Sequence, residues 1–342
     1  MSIKTRKLNL RKFIKTISCA GLGMFLISMN IMAMGGKNDP QRVSSTRLAM
    51  GTTVTVILIY EKGFNYKKAM DSAFDEINRL SNMMNHYKDD SLLSILNRNG
   101  SLSNADPSLL EVIKNALYYY EITDGAFDIT VYPIIEIFRK NFQEKNAPPS
   151  QEDINRVLEY VGSDKIEING TDIKLKKKGM KIILAGLAKG YIVDKASEVL
   201  LAHGIENHLI NAGGDMKAVG LRADGKLWKA AIQDPKKGNK HLDVIELTNT
   251  AVATSGNYEN YFDAEKIYHH ITNPKTGFSP VLNSSASIIA PTAMEADALA
   301  TALMVMPPDY GVRFINSLPG RESLVFTRNN EIKKSAGWES VK

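Results

Sequence analysis

A strand that runs directly into a capped helix constrains this chain more than any other feature. Ser285 to Ala290 reads as a strand, and Pro291 stops it. Thr292 follows, with Glu295 three positions later, the spacing of a capping box whose N-cap is Thr292. The helix that starts there carries Asp297 and Thr301 four positions apart, one above the other on one face. A carboxylate and a hydroxyl so placed can both reach one Mg²⁺, which takes oxygen ligands and keeps positions for water and phosphate. Alanines at 296, 298, 300 and 302 leave room for a ligand. The plainer reading, a capped alanine-rich helix with one solvated Asp, has equal weight on these residues alone.

A second segment, His269 to Gly277, puts a histidine at the mouth of a tight turn. His269 and His270 are adjacent, so on a strand they face opposite sides and at most one lines a given pocket. An imidazole with a pKa near 6.5 suits a general base at neutral pH. A zinc site is not expected at these histidines. Strand–turn–helix segments add weaker signals. Ala185 to Tyr191 is a glycine-containing turn at a helix N-terminus, with Lys189 as a nearby cation. It matches neither a Walker A loop nor a dinucleotide fingerprint. Asn211 to Asp215 reads most simply as a tight turn, with a ligand-facing role as the minority reading, and Thr254-Ser255-Gly256 either hydrogen-bonds a phosphate or is a plain loop.

Residues 1–35 read as an export signal. Lys4, Arg6, Lys7, Arg11, Lys12 and Lys15 form a basic region, an apolar stretch from Ile17 to Met34 follows, and Ala33-Met34-Gly35 resembles a cleavage site. An uncleaved anchor in the cytoplasmic membrane is the alternative, since the stretch is close to the ~18-residue minimum for spanning. Cys19 precedes most of the apolar run and does not sit in a lipobox. The expectation is a protein exported to the periplasm or the outer face of the membrane. Taking six basic residues from 43 leaves 37, against 37 acidic ones, so the remainder is neutral. Nothing in that balance calls for nucleic-acid binding. Cys19 is the only cysteine, so a core rather than disulfides must stabilise the fold.

Along the rest of the chain, 36–45 reads as a polar leader and 46–342 as one compact domain. Strands are expected at Val54–Ile59, Lys165–Ile168, Asp172–Leu175, Met180–Leu184, His208–Asn211, Lys217–Leu221, Lys229–Gln233 and Val252–Ser255. Helices are expected at Lys67–Met84, Asp90–Leu96, Ser108–Thr123 and Leu187–Ala202, and 140–155 as a surface loop. The mixture is α+β, with a largely antiparallel sheet and flanking helices.

Taken in order, Met50-Gly51-Thr52, Tyr87 with Asp90-Ser91 and Asn97, Ala126-Phe127-Asp128, Gly186 to Tyr191 with Asp194, Asn211 to Asp215, Thr254-Ser255-Gly256, His270 to Gly277 and Ala296 to Leu303 resemble the ApbE family of FAD:protein FMN transferases. Each motif is weak alone, but eight in one order over residues 45–306 are specific. The resemblance implies an exported enzyme that binds FAD and Mg²⁺ and transfers FMN to a Thr or Ser of an acceptor protein, releasing AMP. It implies FAD contacts from Met50, Tyr87, Ala126, Phe127, Asp128, Lys189 and Ile271. Asp297, Thr301 and the carbonyl of Gly186 would hold the metal, and His270 would deprotonate the acceptor hydroxyl. The implied acceptor is a membrane-associated redox subunit with a Ser/Thr-Gly-Ala-Thr/Ser-type site. One position departs from the pattern: Ile183 stands where the family usually has an Asp that helps hold FAD. Two other functions use overlapping residues. Water in place of the acceptor would make a metal-dependent FAD pyrophosphatase, and a non-enzymatic flavin-binding protein would need no Asp297–Thr301 pair.

Overall fold

The computed structural model describes residues 40–236 and 240–341. The segment read as an export signal, with Cys19, lies outside them. Eight strands form the main sheet, in the order β1 (Gln41–Ala49), β2 (Thr52–Tyr60), β6 (Asn207–Ala212), β7 (Asp215–Val219), β10 (Thr250–Gly256), β11 (Asn283–Ala290), β12 (Glu322–Thr327) and β13 (Ile332–Lys334). Every neighbouring pair among them is antiparallel. Smaller sheets join β3 (Ser101–Leu102), β5 (Asp172–Leu175) and β4 (Ile166–Asn169), and β8 (Trp228–Gln233) with β9 (His241–Leu247). The α+β expectation is therefore met.

Strand alternation explains the layers. On β2, Val54, Val56 and Leu58 point to the helical face, where α1 (Tyr66–Met84), α6 (Ala188–Ala202) and α7 (Ala293–Val305) bury them. Ile57 and Ile59 point the other way, towards Trp228, Ile232 and Ile245 of the β8–β9 hairpin. Each fully buried aliphatic side chain contributes about 1.5–3 kcal/mol. A third cluster packs Tyr132, Ile135 and Phe138 of α4 (Tyr132–Lys145) and Ile154 of α5 (Gln151–Leu158) against Phe262, Tyr268 and Phe278. That cluster supports the turn that carries His270. The remaining helices are α2 (Leu92–Asn99), α3 (Pro107–Ile122) and α8 (Pro308–Asn316).

Several expectations shift. β1 begins at Gln41, inside the segment read as a polar leader, because its in-register pairing runs from Gln41↔Tyr60 to Ala49↔Thr52. The residues expected as a loop from 140 belong partly to α4 and α5: Asn141 and Ile154 are buried while Lys140 and Glu144 face solvent. Met180–Leu184, expected as a strand, joins no sheet. Asn97 replaces the missing strand, accepting from Ile182 N at 2.7 Å and donating to Ile182 O at 2.9 Å. Ile183 N donates to Ile129 O at 2.7 Å, so the segment's backbone is satisfied locally.

Candidate active site

Thr292 caps α7 as expected, its Oγ1 accepting from Glu295 N at 3.2 Å. The reciprocal half of the capping box is absent because Glu295 turns to Arg321, meeting Nε at 2.8 Å and Nη2 at 3.0 Å. Asp297 and Thr301 follow on one face of α7, with Asp297 only 6% exposed. Thr301 Oγ1 lies 3.2 Å from Ser255 Oγ, and a Cβ on Gly186 would stand 3.1 Å from both Thr301 Oγ1 and Phe127 Cε2. The Gly186 turn thus lies directly against the hydroxyl, with the Phe127 ring as its apolar wall. Gly190, on the first turn of α6, donates its amide to Asp297 Oδ2 at 3.2 Å. That amide is one of the unpaired donors at the positive end of a helix.

Lys189 and Asp215 complete the cluster. The ammonium lies 3.0 Å from Asp215 Oδ2, and Thr254 N donates to Asp215 Oδ1 at 3.4 Å. Burial opposes the charge of Lys189, but Asp215 and Asp297 outweigh it and hold its pKa above the ordinary lysine value. Burial raises the Asp215 carboxyl, with Lys189 pulling it back. Burial, then the charge of Asp215, pushes Asp297 well above the usual carboxylate range. Two buried carboxylates therefore face one ammonium, and Asp297 either keeps a proton or takes a cation. Its neighbours Thr301, Ser255 and the Gly186 backbone offer only oxygen, the donor set of a hard divalent ion. The residues present fit Mg²⁺.

His270 is half-buried on the loop after β10, its Nδ1 2.9 Å from Asn260 O. A carbonyl can only accept, so Nδ1 carries the proton and Nε2 is the basic nitrogen. Burial lowers the His270 pKa below its ordinary value; Asn260 and Glu259 raise it and Lys189 lowers it. His269 points inward, fully buried, with Nε2 3.2 Å from Pro280 O. Only one of the adjacent histidines is available for chemistry, as strand alternation requires.

The other expected flavin contacts occupy different places. Met50 and Gly51, at φ 53° and 72°, form the two-residue turn between β1 and β2. Tyr87 is 70% exposed, its ring tilted at 41° against His86 with 3.9 Å between centroids and its hydroxyl 3.4 Å from Arg139 Nη2. Ile271 is buried in the main core and Ala126 packs against it. Asp128 is engaged mainly through Oδ1: Thr130 N, Thr130 Oγ1 and Ser163 Oγ donate to Oδ1 at 2.7, 2.6 and 2.7 Å, and Ser163 N alone to Oδ2 at 3.2 Å. Burial raises its pKa and these bonds oppose the rise. A cleft of about 310 Å³ opens beside Asp128, lined also by Gly125, Gly162, Pro274 and Lys275. None of Asp297, Thr301, Lys189 or His270 lines it.

Phe127, Gly186 and Thr301 are thus joined by contact and Lys189 and Asp297 by charge, while Met50, Tyr87 and Asp128 have other partners. Asp215 belongs to the segment whose simplest sequence reading is a tight turn, with a ligand-facing role as the minority reading. At 1% exposure it is a buried acid on the Lys189 ammonium, and an Asp directly after two glycines at a strand start was its only sequence signal.

The ApbE family model matches residues 50–325, a span that holds every one of these groups. The chain belongs to the ApbE family. An FAD:protein FMN transferase from Vibrio cholerae is 31% identical over 297 residues, covering 84% of this chain and 88% of the relative. The enzyme of the same name from Treponema pallidum is 27% identical over 333 residues, covering 91% of each. Among solved structures, the ApbE protein from Thermotoga maritima superposes with a TM-score of 0.78 at 31% identity, covering 86% of this chain and 97% of that one. The flavin transferase ApbE from Vibrio cholerae gives 0.77 at 27% identity, covering 87% and 98%. The family's fold is this fold.

Proposed function

We propose that this enzyme transfers the FMN half of FAD to a Ser or Thr hydroxyl of an acceptor protein and releases AMP, with Mg²⁺ as the required ion. The observation that carries the reading is the buried oxygen set around Asp297, whose charge Lys189 does not match because it is paired with Asp215. Asp297, Thr301 and the Gly186 carbonyl would hold the ion, which when bound neutralises charge on the pyrophosphate.

The protein's own groups do the rest. Lys189, held charged, sits beside the Asp297 carboxylate and supplies positive potential to the phosphates. His270 Nε2, neutral at pH 7, takes the proton of the acceptor hydroxyl. The acceptor oxygen then bonds to the FMN phosphorus as the phosphoanhydride bond breaks and AMP departs. Phe127 walls the Gly186 turn and excludes water from that side. Met50, Tyr87, Ala126, Asp128 and Ile271 are the further flavin-contacting positions in this reading. In this reading residues 1–35 are an export signal or N-terminal anchor that takes the enzyme to the periplasm or the outer face of the cytoplasmic membrane, and the acceptor is a membrane-associated redox subunit carrying a Ser/Thr-Gly-Ala-Thr/Ser-type site.

The test is intact-mass measurement of such an acceptor domain incubated with the enzyme, FAD and Mg²⁺, beside an EDTA control and Asp297→Ala. One FMN gained only with metal and only with wild-type enzyme is the expected result. Free FMN and AMP with an unmodified acceptor would instead assign hydrolysis.

A further inference from the structure

Two helices exchange hydrogen bonds at their N-terminal turns, and Asp297 is held inside the exchange. Gly190 of α6 donates to Asp297 Oδ2 of α7 at 3.2 Å. In return Ala293 and Met294, the first two residues of α7, donate to Oδ1 and Oδ2 of Asp194 on α6, both at 2.9 Å. Thr292 Oγ1 takes the third amide of α7. The close approach requires glycine at 190, where a Cβ would stand 2.2 Å from Ala293 O. Lys217 of β7 donates to Pro291 O at 2.5 Å, just before the cap, and its charge also acts on Asp194.

The two caps of α7 differ in what they can do. Thr292 belongs to the helix it caps, so it stabilises the helix wherever the helix lies. Asp194 comes from another helix, so its bonds fix where α7 starts relative to the Gly186 turn. Two acceptors on two successive amides also fix the rotation of α7 about its axis. Asp297 stands four residues beyond Ala293, about 6 Å along the axis and on nearly the same face. Any slip or turn at Ala293 is passed to the carboxylate.

We propose that Asp194 is a positioning residue of the divalent-cation site, holding the start of α7 so that Asp297 meets the Gly186 turn. The inference rests on the metal reading above. The protein's affinity for the cation then depends on a side chain that never touches it.

Mn²⁺ binding to the full chain, followed by electron paramagnetic resonance without FAD, tests this in wild type, Asp194→Asn and Thr292→Ala. Asp194→Asn puts a donor group in place of one of the two acceptors and should weaken Mn²⁺ binding about tenfold or more, as loss of an outer-shell partner does. Thr292→Ala should lower the melting temperature yet keep the wild-type Kd. A wild-type Kd in Asp194→Asn, or an equal loss in Thr292→Ala, overturns the assignment. Should Asp194→Asn fail to fold, Asp194→Glu keeps the charge but lengthens the reach, and a wild-type Kd there is equally fatal. Absence of Mn²⁺ binding in the wild type would instead remove the metal reading itself.

Discussion

The Lys189 ammonium lies 3.0 Å from Oδ2 of Asp215, and that pairing is what leaves Asp297 as the unmatched acid of the site. Lys189→Met would strand a fully buried carboxylate. Breaking a buried pair costs about 3–5 kcal/mol, and the partial exposure of the Lys189 side chain puts the expected loss near the lower end. Urea unfolding should show most of that loss recovered in the Lys189→Met, Asp215→Asn double variant, since the two residues share one interaction. Simple additivity of the single losses would refute the coupling.

His270 makes a different case, because it bonds only to its own loop. Its Nδ1 contact to Asn260 O is 2.9 Å, and the half-buried ring supports no other element through a hydrogen bond. His270→Ala should therefore keep the melting temperature within a few degrees while lowering turnover on the order of 10²–10⁴-fold. In the wild type the rate should fall on the acid side below the ordinary imidazole pKa, because burial holds the folded value down. Wild-type turnover in His270→Ala would remove it as the base.

The two glycines that flank Lys189 are predicted to differ. A Cβ at 190 meets backbone, Ala293 O at 2.2 Å and Ala293 C at 2.4 Å, so α6 and α7 would have to separate. A Cβ at 186 meets side-chain atoms at 3.1 Å, which yield by a few tenths of an ångström. Gly190→Ala should thus cost at least the 1–3 kcal/mol of an overpacked core, to order of magnitude, and Gly186→Ala less. Thermal melts of the two variants side by side check the order; the reverse order contradicts this packing.

His208 should make the fold sensitive to acid. Its Nδ1 donates to Ile205 O at 3.1 Å, and in the neutral ring its Nε2 accepts the Ser197 hydroxyl at 2.7 Å. Burial lowers its pKa from 6.5 to about 4. A group depressed in the folded state contributes stability that is present above 6.5 and lost as pH falls through 4. The shift corresponds to roughly 3 kcal/mol. Buried acids such as Asp194, raised to about 6 by burial, titrate with the opposite sign, so the net curve mixes both. The difference between wild type and His208→Gln isolates the histidine: the variant should gain on the wild type by roughly 3 kcal/mol between pH 6.5 and 4. Parallel curves would show that the ring is not held neutral.

The parts of this site that the sequence disclosed are those whose causes are local. Thr292 reads as a cap because its partner amide is three residues away, and Asp297 and Thr301 share a face by helical spacing alone. Asp194 is 99 residues from Ala293, and no spacing rule reaches that far. Asp215 looked like part of a turn because Gly213 and Gly214 precede it, and only the pairing of β6 with β7 buries it on Lys189. The start of α4 was hidden for a compositional reason. Its apolar stripe of Ile134, Ile135 and Phe138 is followed by Lys140, Gln143, Glu144 and Lys145 on the outer face, so the polar run dominated the reading. Met180–Leu184 misled in the other direction, since Asn97 supplies by a side chain what a strand would supply by backbone.

Ile183 stands where the resemblance leads one to expect an Asp, and its surroundings are apolar. The side chain packs with Tyr132, Ile135 and Phe138 in the cluster that also holds Phe262 and Phe278 under the His270 loop. Ile183→Asp would place a carboxylate against those rings and should cost about 1–3 kcal/mol in the ligand-free protein, through lost packing and poor hydrogen bonding. If an Asp at this position grips FAD as the family resemblance implies, the same variant should gain a larger FAD-induced rise in melting temperature than the wild type shows. The two effects have opposite signs and are read in the same instrument, with and without FAD. A lower melting temperature with an unchanged FAD-induced rise would mean that this protein holds the dinucleotide through other groups. The exposed Tyr87 ring, backed by His86 and beside Arg139, is then the next place to substitute.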